Sequence, residues 1–425
     1  MRTLLQVIIW STRIFNELPS ANSHISDSIK PADSVLGLET LGPNNVKDAI
    51  IERLGQITPE DVASEYTKSL HPWFPVLPHA FQGQLPLSWN DASLDFTILA
   101  LCIIMLTCAP PSASQKENPS TFKCLYTYAK SWISLIEGFG INSIEVVQAR
   151  TCMALFEAAH GFYPAASISI GAASRAADAL NVDPISHMTS FRSSDDAAKR
   201  KETAFLWCAI HILDRYIAVE SEPRVSFSRW HTNNFHEALK EELYPALLEE
   251  DLTGPVCQIS RLFEASTILD KLHVIVKGST AEHIFKLDEI MLLLDTSQNL
   301  QTILLGEAED GHEVYSGALG LSNIGLLLLY ENGTKVPTAD EVTSACNSIA
   351  ITSLNSLITT VTNTVEPFVI GTQGLFDDVE RKVVVLRYFT QDVLSSMFAD
   401  KIGTERYLEL LNEDTTRRIL KSIQQ

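Results

Sequence analysis

Apolar residues recur along this chain at three- and four-residue spacings, in long stretches separated by short polar, proline- or glycine-bearing segments. That period predicts helices and little or no β structure. The stretch from Glu202 to Glu220, ETAFLWCAIHILDRYIAVE, departs from ordinary amphipathicity. From Ala204 to Ile212 every position is apolar except His211. A helix apolar on all sides belongs at the centre of a large core. Asp214 and Arg215 then sit inside it, adjacent in sequence. Neighbours on a helix point in different directions, so each buried charge needs a partner from elsewhere in the fold.

The other elements follow from the same pattern. Residues 1–44 read as a poorly ordered leader, because Pro19 to Ser34 is rich in serine and small polar residues with no apolar period. A short helix is predicted over residues 46–54. Thr58-Pro59-Glu60-Asp61 starts another that runs to about Leu70, with an N-cap hydroxyl, proline at the first helical position and acids in the first turn. From His71 to Gln84, prolines at 72, 75 and 78 exclude a regular helix. Trp73, Phe74, Val76 and Phe81 in that loop are expected to plug into the helical body. Asp91 to Cys108 reads as a buried helix, and Pro110 to Pro119 as a surface loop. Thr121 to Gly138 is helical, with Tyr126, Ala129, Ile133 and Ile136 on one side. Ser143 to His160 and Tyr163 to Leu180 form a helical pair joined at Gly161, the second lined with small residues that predict close packing. Asp183 to Asp196 reads as a polar loop, and Ser221 to Phe235 as irregular. Further helices are predicted at about 256–276, 282–304, 312–331, 338–361, 375–399 and 403–423, with a capping box at Thr338-Ala339-Asp340-Glu341. The fold class is therefore all-α: a large multi-helix domain of packed antiparallel helices. Its centre is predicted to be the 144–180 pair and the 203–219 helix. No internal repeat at a solenoid period is present.

Three stretches carry a family resemblance. Trp207-Cys208-Ala209-Ile210-His211-Ile212-Leu213-Asp214-Arg215 is similar to the WWAIxILDR segment of the fungal-specific transcription factor domain. That domain is the middle homology region found downstream of a binuclear zinc cluster in many fungal regulators. His71-Pro72-Trp73-Phe74-Pro75-Val76-Leu77 resembles its HPWFPIL loop. Glu157 to Ala166, running on to Ala179-Leu180-Asn181-Val182, resembles YExGxGxYPAAYxxxGxxxRxxxALGL. The three occur in family order and span roughly residues 45–255, with 256–425 as a helical continuation of the same body. The signature positions are His71, Pro72, Trp73, Pro75, Gly161, Tyr163, Pro164, Trp207, Asp214 and Arg215. The chain departs from the pattern at Ala204 and Phe205, where an arginine pair is usual, and at Cys208, where a second tryptophan is common. The family's acidic-proline signature appears only loosely, in Leu247 to Asp251.

Charge and cysteine usage change what the resemblance implies. The chain has 32 basic and 52 acidic residues, a formal charge of −20. That balance opposes direct contact with DNA phosphates, which calls for a basic face. The seven cysteines are dispersed, and no two are separated by only two residues. The family's Cys-x2-Cys-x6-Cys run is absent, so no DNA-reading zinc cluster, metal site or other cofactor is expected in this chain. The cysteines read as reduced, buried thiols. A truncated gene model, a natural cluster-less relative and a regulator acting through a partner all remain open. No membrane span is expected, because the longest apolar run, Phe96 to Ala109, is too short. The sequon Asn332-Gly333-Thr334 carries no weight.

Four constellations invite chemistry. Cys208, His211 and Asp214, three apart on one helix, have the residue types of a thiol–imidazole–carboxylate set. Working sets draw on separate elements, so a hydrogen-bonded core is favoured. His231 and His236, beside Trp230, lack further ligands for a metal. Asp214 with Arg215 could hold a polar effector, against the plainer reading of a structural ion-pair network. The acid runs Glu249-Glu250-Asp251 and Glu307, Glu309, Asp310 read as solvated faces. No phosphate loop, nucleophile elbow or dinucleotide fingerprint is present, and no enzymatic activity or DNA-binding residue is expected.

The resemblance implies a nuclear regulator of RNA polymerase II-dependent gene expression, with a metabolic gene cluster as a target class. Its partners would be proteins of the transcription machinery or a DNA-binding regulator, with a small-molecule effector open. DNA would be reached only indirectly or through a missing N-terminal segment. The alternative is a helical small-molecule sensor or interaction scaffold that does not bind DNA.

Overall fold

Thr58 starts its helix as the sequence predicts. Its Oγ1 accepts from the Asp61 backbone N–H at 3.2 Å, and the Asp61 carboxylate accepts from the Thr58 N–H at 2.8 Å. This reciprocal pair satisfies two backbone donors that a helix N-terminus leaves open. The computed structural model describes residues 42–71, 74–77, 85–107, 119–159, 162–182, 195–220, 226, 254–277, 283–307, 315–334 and 344–357. In chain order the helices are α1 (Pro43–Leu54), α2 (Pro59–Glu65), α3 (Leu94–Thr107), α4 (Pro119–Gly138), α5 (Ile144–Ala159) and α6 (Tyr163–Ala179). They continue with α7 (Asp195–Glu220), α8 (Pro255–Lys277), α9 (His283–Glu307), α10 (Ser316–Thr334) and α11 (344–357). The fold is all-α, with no strand among the described residues. The described residues fall into two compact units, one up to Phe263 and one from Glu264 on, and the division lies inside α8.

In the first unit, α3 is as central as the pair the sequence pointed to. Every residue from Thr97 to Met105 is buried. The helix packs against α1, α2, α4 and α5. It starts at Leu94 and not at Asp91, because Ser93 caps it: the Phe96 N–H donates to Ser93 Oγ at 3.2 Å. Asp91 is held in the preceding turn, its carboxylate accepting from Ser88 Oγ at 2.8 Å. Trp89 pins that turn by donating its indole N–H to the Ile57 carbonyl at 2.6 Å.

The predicted helix from Thr58 to Leu70 changes character at its end. Residues Tyr66–Leu70 form one π turn, closed by the His71 N–H on the Tyr66 carbonyl at 2.9 Å. Such widened turns are rare within helices. Here the Tyr66 hydroxyl serves the loop that follows. It accepts from the Leu77 N–H at 2.8 Å and lies 3.2 Å from the Leu77 carbonyl. Phe74, Val76 and Leu77 are fully buried, as expected of a loop plugged into the helical body. Trp73 and Phe81 lie outside the described residues.

α5, α6 and α7 pack on one another. The small-residue stripe of α6 is its buried face, with Ala166, Ile170, Ala173 and Ala177 withdrawn from solvent. The exit from α6 is a Schellman motif: the Val182 N–H bonds to the Ala177 carbonyl and the Asn181 N–H to the Asp178 carbonyl. Asn181 has φ 52°, a left-handed conformation, at the position where the family pattern has glycine. Asparagine is among the few residues that tolerate it. Replacing Asn181 with Ala is expected to cost about 1 kcal/mol, and replacing it with Gly nothing or a small gain. Denaturant midpoints of the two variants check this, and equal midpoints for Ala and Gly would refute the motif's role.

α7 begins at Asp195, earlier than the predicted start at Glu202. In the second unit α9 and α10 pack together. Ser297 and Ser322 pair across them at 3.2 Å, and Gln301 donates to Asn323 at 2.7 Å. Gly325 lets α8 approach α10, since a Cβ there would lie 2.8 Å from Leu272 Cδ1. The sequence-based helices at 375–399 and 403–423, the capping box at 338–341 and residues 1–41 of the leader read over 1–44 fall outside the described residues, while the end of that leader, from Pro43, is already helical as the start of α1.

Candidate functional site

From Thr203 to Val219 every residue of the organising helix α7 is buried. Trp207, His211 and Arg215 follow at four-residue spacing and so form one stripe. The Trp207 and His211 rings meet edge to face, centroids 4.6 Å apart at 69°. His211 in turn meets the Phe263 ring edge-on at 6.5 Å. The Arg215 guanidinium lies over the same Phe263 ring, 4.5 Å from its centroid. Phe263 therefore receives an imidazole edge and a cation from one helix face, a contact type that strengthens when desolvated. Asp214 points elsewhere, and Ser226 Oγ donates to its Oδ2 at 2.5 Å. These two contacts of the adjacent charges thus go to different residues, in line with the divergence of neighbours on a helix.

This arrangement is not a nucleophile set. Burial pushes the Cys208 thiol up, a rise that the nearby Arg215 charge opposes only in part. The thiolate is the reactive species, so Cys208 is chemically quiet at neutral pH. Cys152 is likewise pushed up, to about 12, by burial. Cys102 is raised by burial, then by Cys152 and Glu157. The dispersed cysteines in the described core are free and buried, apart from a half-buried Cys346.

The remaining signature residues are spread over the loop and α6. His71 stands beside the Tyr66 ring, centroids 5.4 Å apart, with Nδ1 at 3.3 Å from the Tyr66 hydroxyl. Pro75 is buried between Phe74 and Val76. Tyr163 and Pro164 open α6, where proline suits the first turn. Pro72, Trp73 and Gly161 lie outside the described residues, as do Trp230, His231, His236 and the acids at 249–251, 309 and 310.

A second polar cluster escaped the sequence reading. Glu157, at the end of α5, is fully withdrawn from solvent. Its Oε1 accepts from the Tyr126 hydroxyl at 2.8 Å and from the Lys130 ammonium, both on α4. Lys130 also reaches Ser169 Oγ on α6 at 3.3 Å. One lysine thus ties three helices together. Tyr126 stacks on Phe156 at 5.7 Å and meets the Phe162 ring at 5.6 Å. Burial, then the hydrogen bond to Glu157 and its charge, push the Tyr126 phenol up, so it stays protonated and donating. The only sequence signal was a lone carboxylate closing an apolar helix, plus Tyr126 and Lys130 one turn apart. Nearby, Arg150 pairs with Glu137 at 3.0 Å, and Gln148 donates to Glu202 of α7 at 3.0 Å.

Residues 63–221 match the family described as the fungal specific transcription factor domain. That span runs from α2 to the end of α7 and contains all three stretches that carry the resemblance. The chain is also 27% identical over 125 residues to a protein named Transcription factor BOA15 from Botryotinia fuckeliana (strain B05.10). The alignment covers 29% of this chain and 66% of that relative's length. No solved structure matches the chain. Among the described residues no helix is long and apolar enough to cross a membrane. The buried Trp207–Arg215 segment, the buried loop residues Phe74 to Leu77 and the α5–α6 pair all fall within that span, and over residues 63–221 the chain is similar to the fungal specific transcription factor domain.

Proposed function

We propose that this chain is a transcription regulator that acts in the nucleus on RNA polymerase II-dependent genes, a metabolic gene cluster among them. The match over residues 63–221 supports the reading, because that span holds the enclosed helix α7 and both of its polar anchors. The chain works as a regulatory body without catalytic chemistry, zinc or another cofactor of its own. It reaches DNA indirectly, through a protein partner or a further N-terminal segment, because a formal charge of −20 disfavours phosphate contact by these residues alone.

Two measurements test this. Deleting the gene and profiling transcripts should change a coordinated set of genes, and an unchanged transcriptome would overturn the regulatory role. The purified chain should give no sequence-specific shift of its target promoters, whereas a nanomolar, competitor-resistant shift would overturn the partner-mediated part.

A further inference from the structure

We propose that the Glu157 cluster between α4, α5 and α6 is a binding subsite for a small neutral phenol-type molecule, whose hydroxyl donates to Glu157 Oε2 and whose ring packs on Phe162. Three observations carry this. The first is an imbalance on a buried carboxylate. Oε1 accepts two donors, whereas Oε2 is buried with no hydrogen-bond partner in the structure. A buried ionised carboxylate normally fills acceptor sites on both oxygens. The second is charge. Lys130 already pairs with Glu157, so the cluster is balanced and a neutral donor fits it better than a cation. The third is the wall. Tyr126, which donates to the carboxylate, is flanked by the Phe156 and Phe162 rings, an aromatic cluster suited to a flat apolar ring.

The cluster also reaches the surface. The Lys130 side chain is 34% exposed and Phe162 is 39% exposed, so the edge of the cluster is open to solvent at these two side chains. A molecule lodged there would touch all three helices that Lys130 now links. The site deepens the regulatory reading by naming an effector chemistry, and only its purpose rests on that reading.

The test is ligand-observed NMR titration of the full chain with phenol and with anisole, which has a similar shape but no hydroxyl donor. Phenol is expected to bind saturably in the millimolar range, as suits so small a fragment, and roughly tenfold more tightly than anisole. Glu157→Gln should remove most of that preference. Phe162→Ala, at a part-exposed position, should weaken phenol several-fold while leaving the melting temperature near that of the parent chain. Equal responses to phenol and anisole, no saturable phenol binding (an ordered water alone on Oε2), or an unaffected Phe162→Ala variant would each overturn the proposal. Transcript profiling of the deletion strain is independent of these outcomes, so failure of the subsite and failure of the regulatory role remain distinguishable.

Discussion

Trp207→Ala is expected to be among the most damaging single substitutions in the first unit. Trp207 is 1% exposed and is the bulkiest of the fully buried side chains among the described residues. Truncating a buried tryptophan removes its transfer energy and leaves a cavity that the surroundings fill only in part, a loss of about 3–5 kcal/mol. The site has little room to relax, because α7 is buried on every side and packs on both α5 and α6. The loss also propagates. The Trp207 ring seats His211, and His211 meets the Phe263 ring that Arg215 covers. For a folding unit of this size, the change corresponds to a drop of about 10 °C in melting temperature. Trp207→Phe keeps an apolar ring in the site and is expected to lose less than half as much. Circular dichroism melts decide the matter: a Trp207→Ala variant melting within two degrees or so of the parent chain would show that α7 is not the centre of the core.

Lys130→Met should have the next largest effect, for an electrostatic reason. The substitution keeps the side-chain stem but removes the ammonium, leaving Glu157 buried with only the Tyr126 hydroxyl on Oε1. Removing one partner of a buried pair typically costs about 3–5 kcal/mol, and the lower end applies here because the lysine is partly exposed and water can reach the vacated position. Neutralising the stranded group separates this cause from lost packing. The double variant Lys130→Met with Glu157→Gln is expected to recover at least half of the loss, because an amide costs far less to bury than a carboxylate. Chemical denaturation of both singles and the double closes the cycle. A double variant no more stable than Lys130→Met alone would mean that the lysine acts through its packing.

Much of the architecture was legible because it is local. The three- and four-residue apolar period marked nearly every described helix, since one buried face is enough to produce it. The cap at Thr58 was readable because proline, hydroxyl and acid lie within four residues and bond to one another. The enclosed character of α7 could be read from composition alone, as a run with no polar side has no face to offer water. Boundaries were less legible. α3 starts three residues late because Ser93 outcompetes Asp91 as cap, and Asp91 is already spent on Ser88. The π turn at Tyr66–Leu70 has no local signature, because its hydroxyl partner, Leu77, lies eleven residues on.

Chemical pairing is where the tertiary structure decided what the sequence could only pose. The sequence alone determined that Asp214 and Arg215 must have different partners, because consecutive helical side chains diverge. It could not say that Ser226 and the Phe263 ring would be among those partners. It likewise determined an all-α fold and a cluster of small residues on α6, but not that Lys130 would meet a carboxylate 27 residues away together with Ser169. The physical reason is the same in each case. Helix formation and capping depend on groups within about one turn, so adjacent letters encode them. The partner of a buried polar group is set by which helices pack, a long-range outcome of burying the whole apolar surface at once.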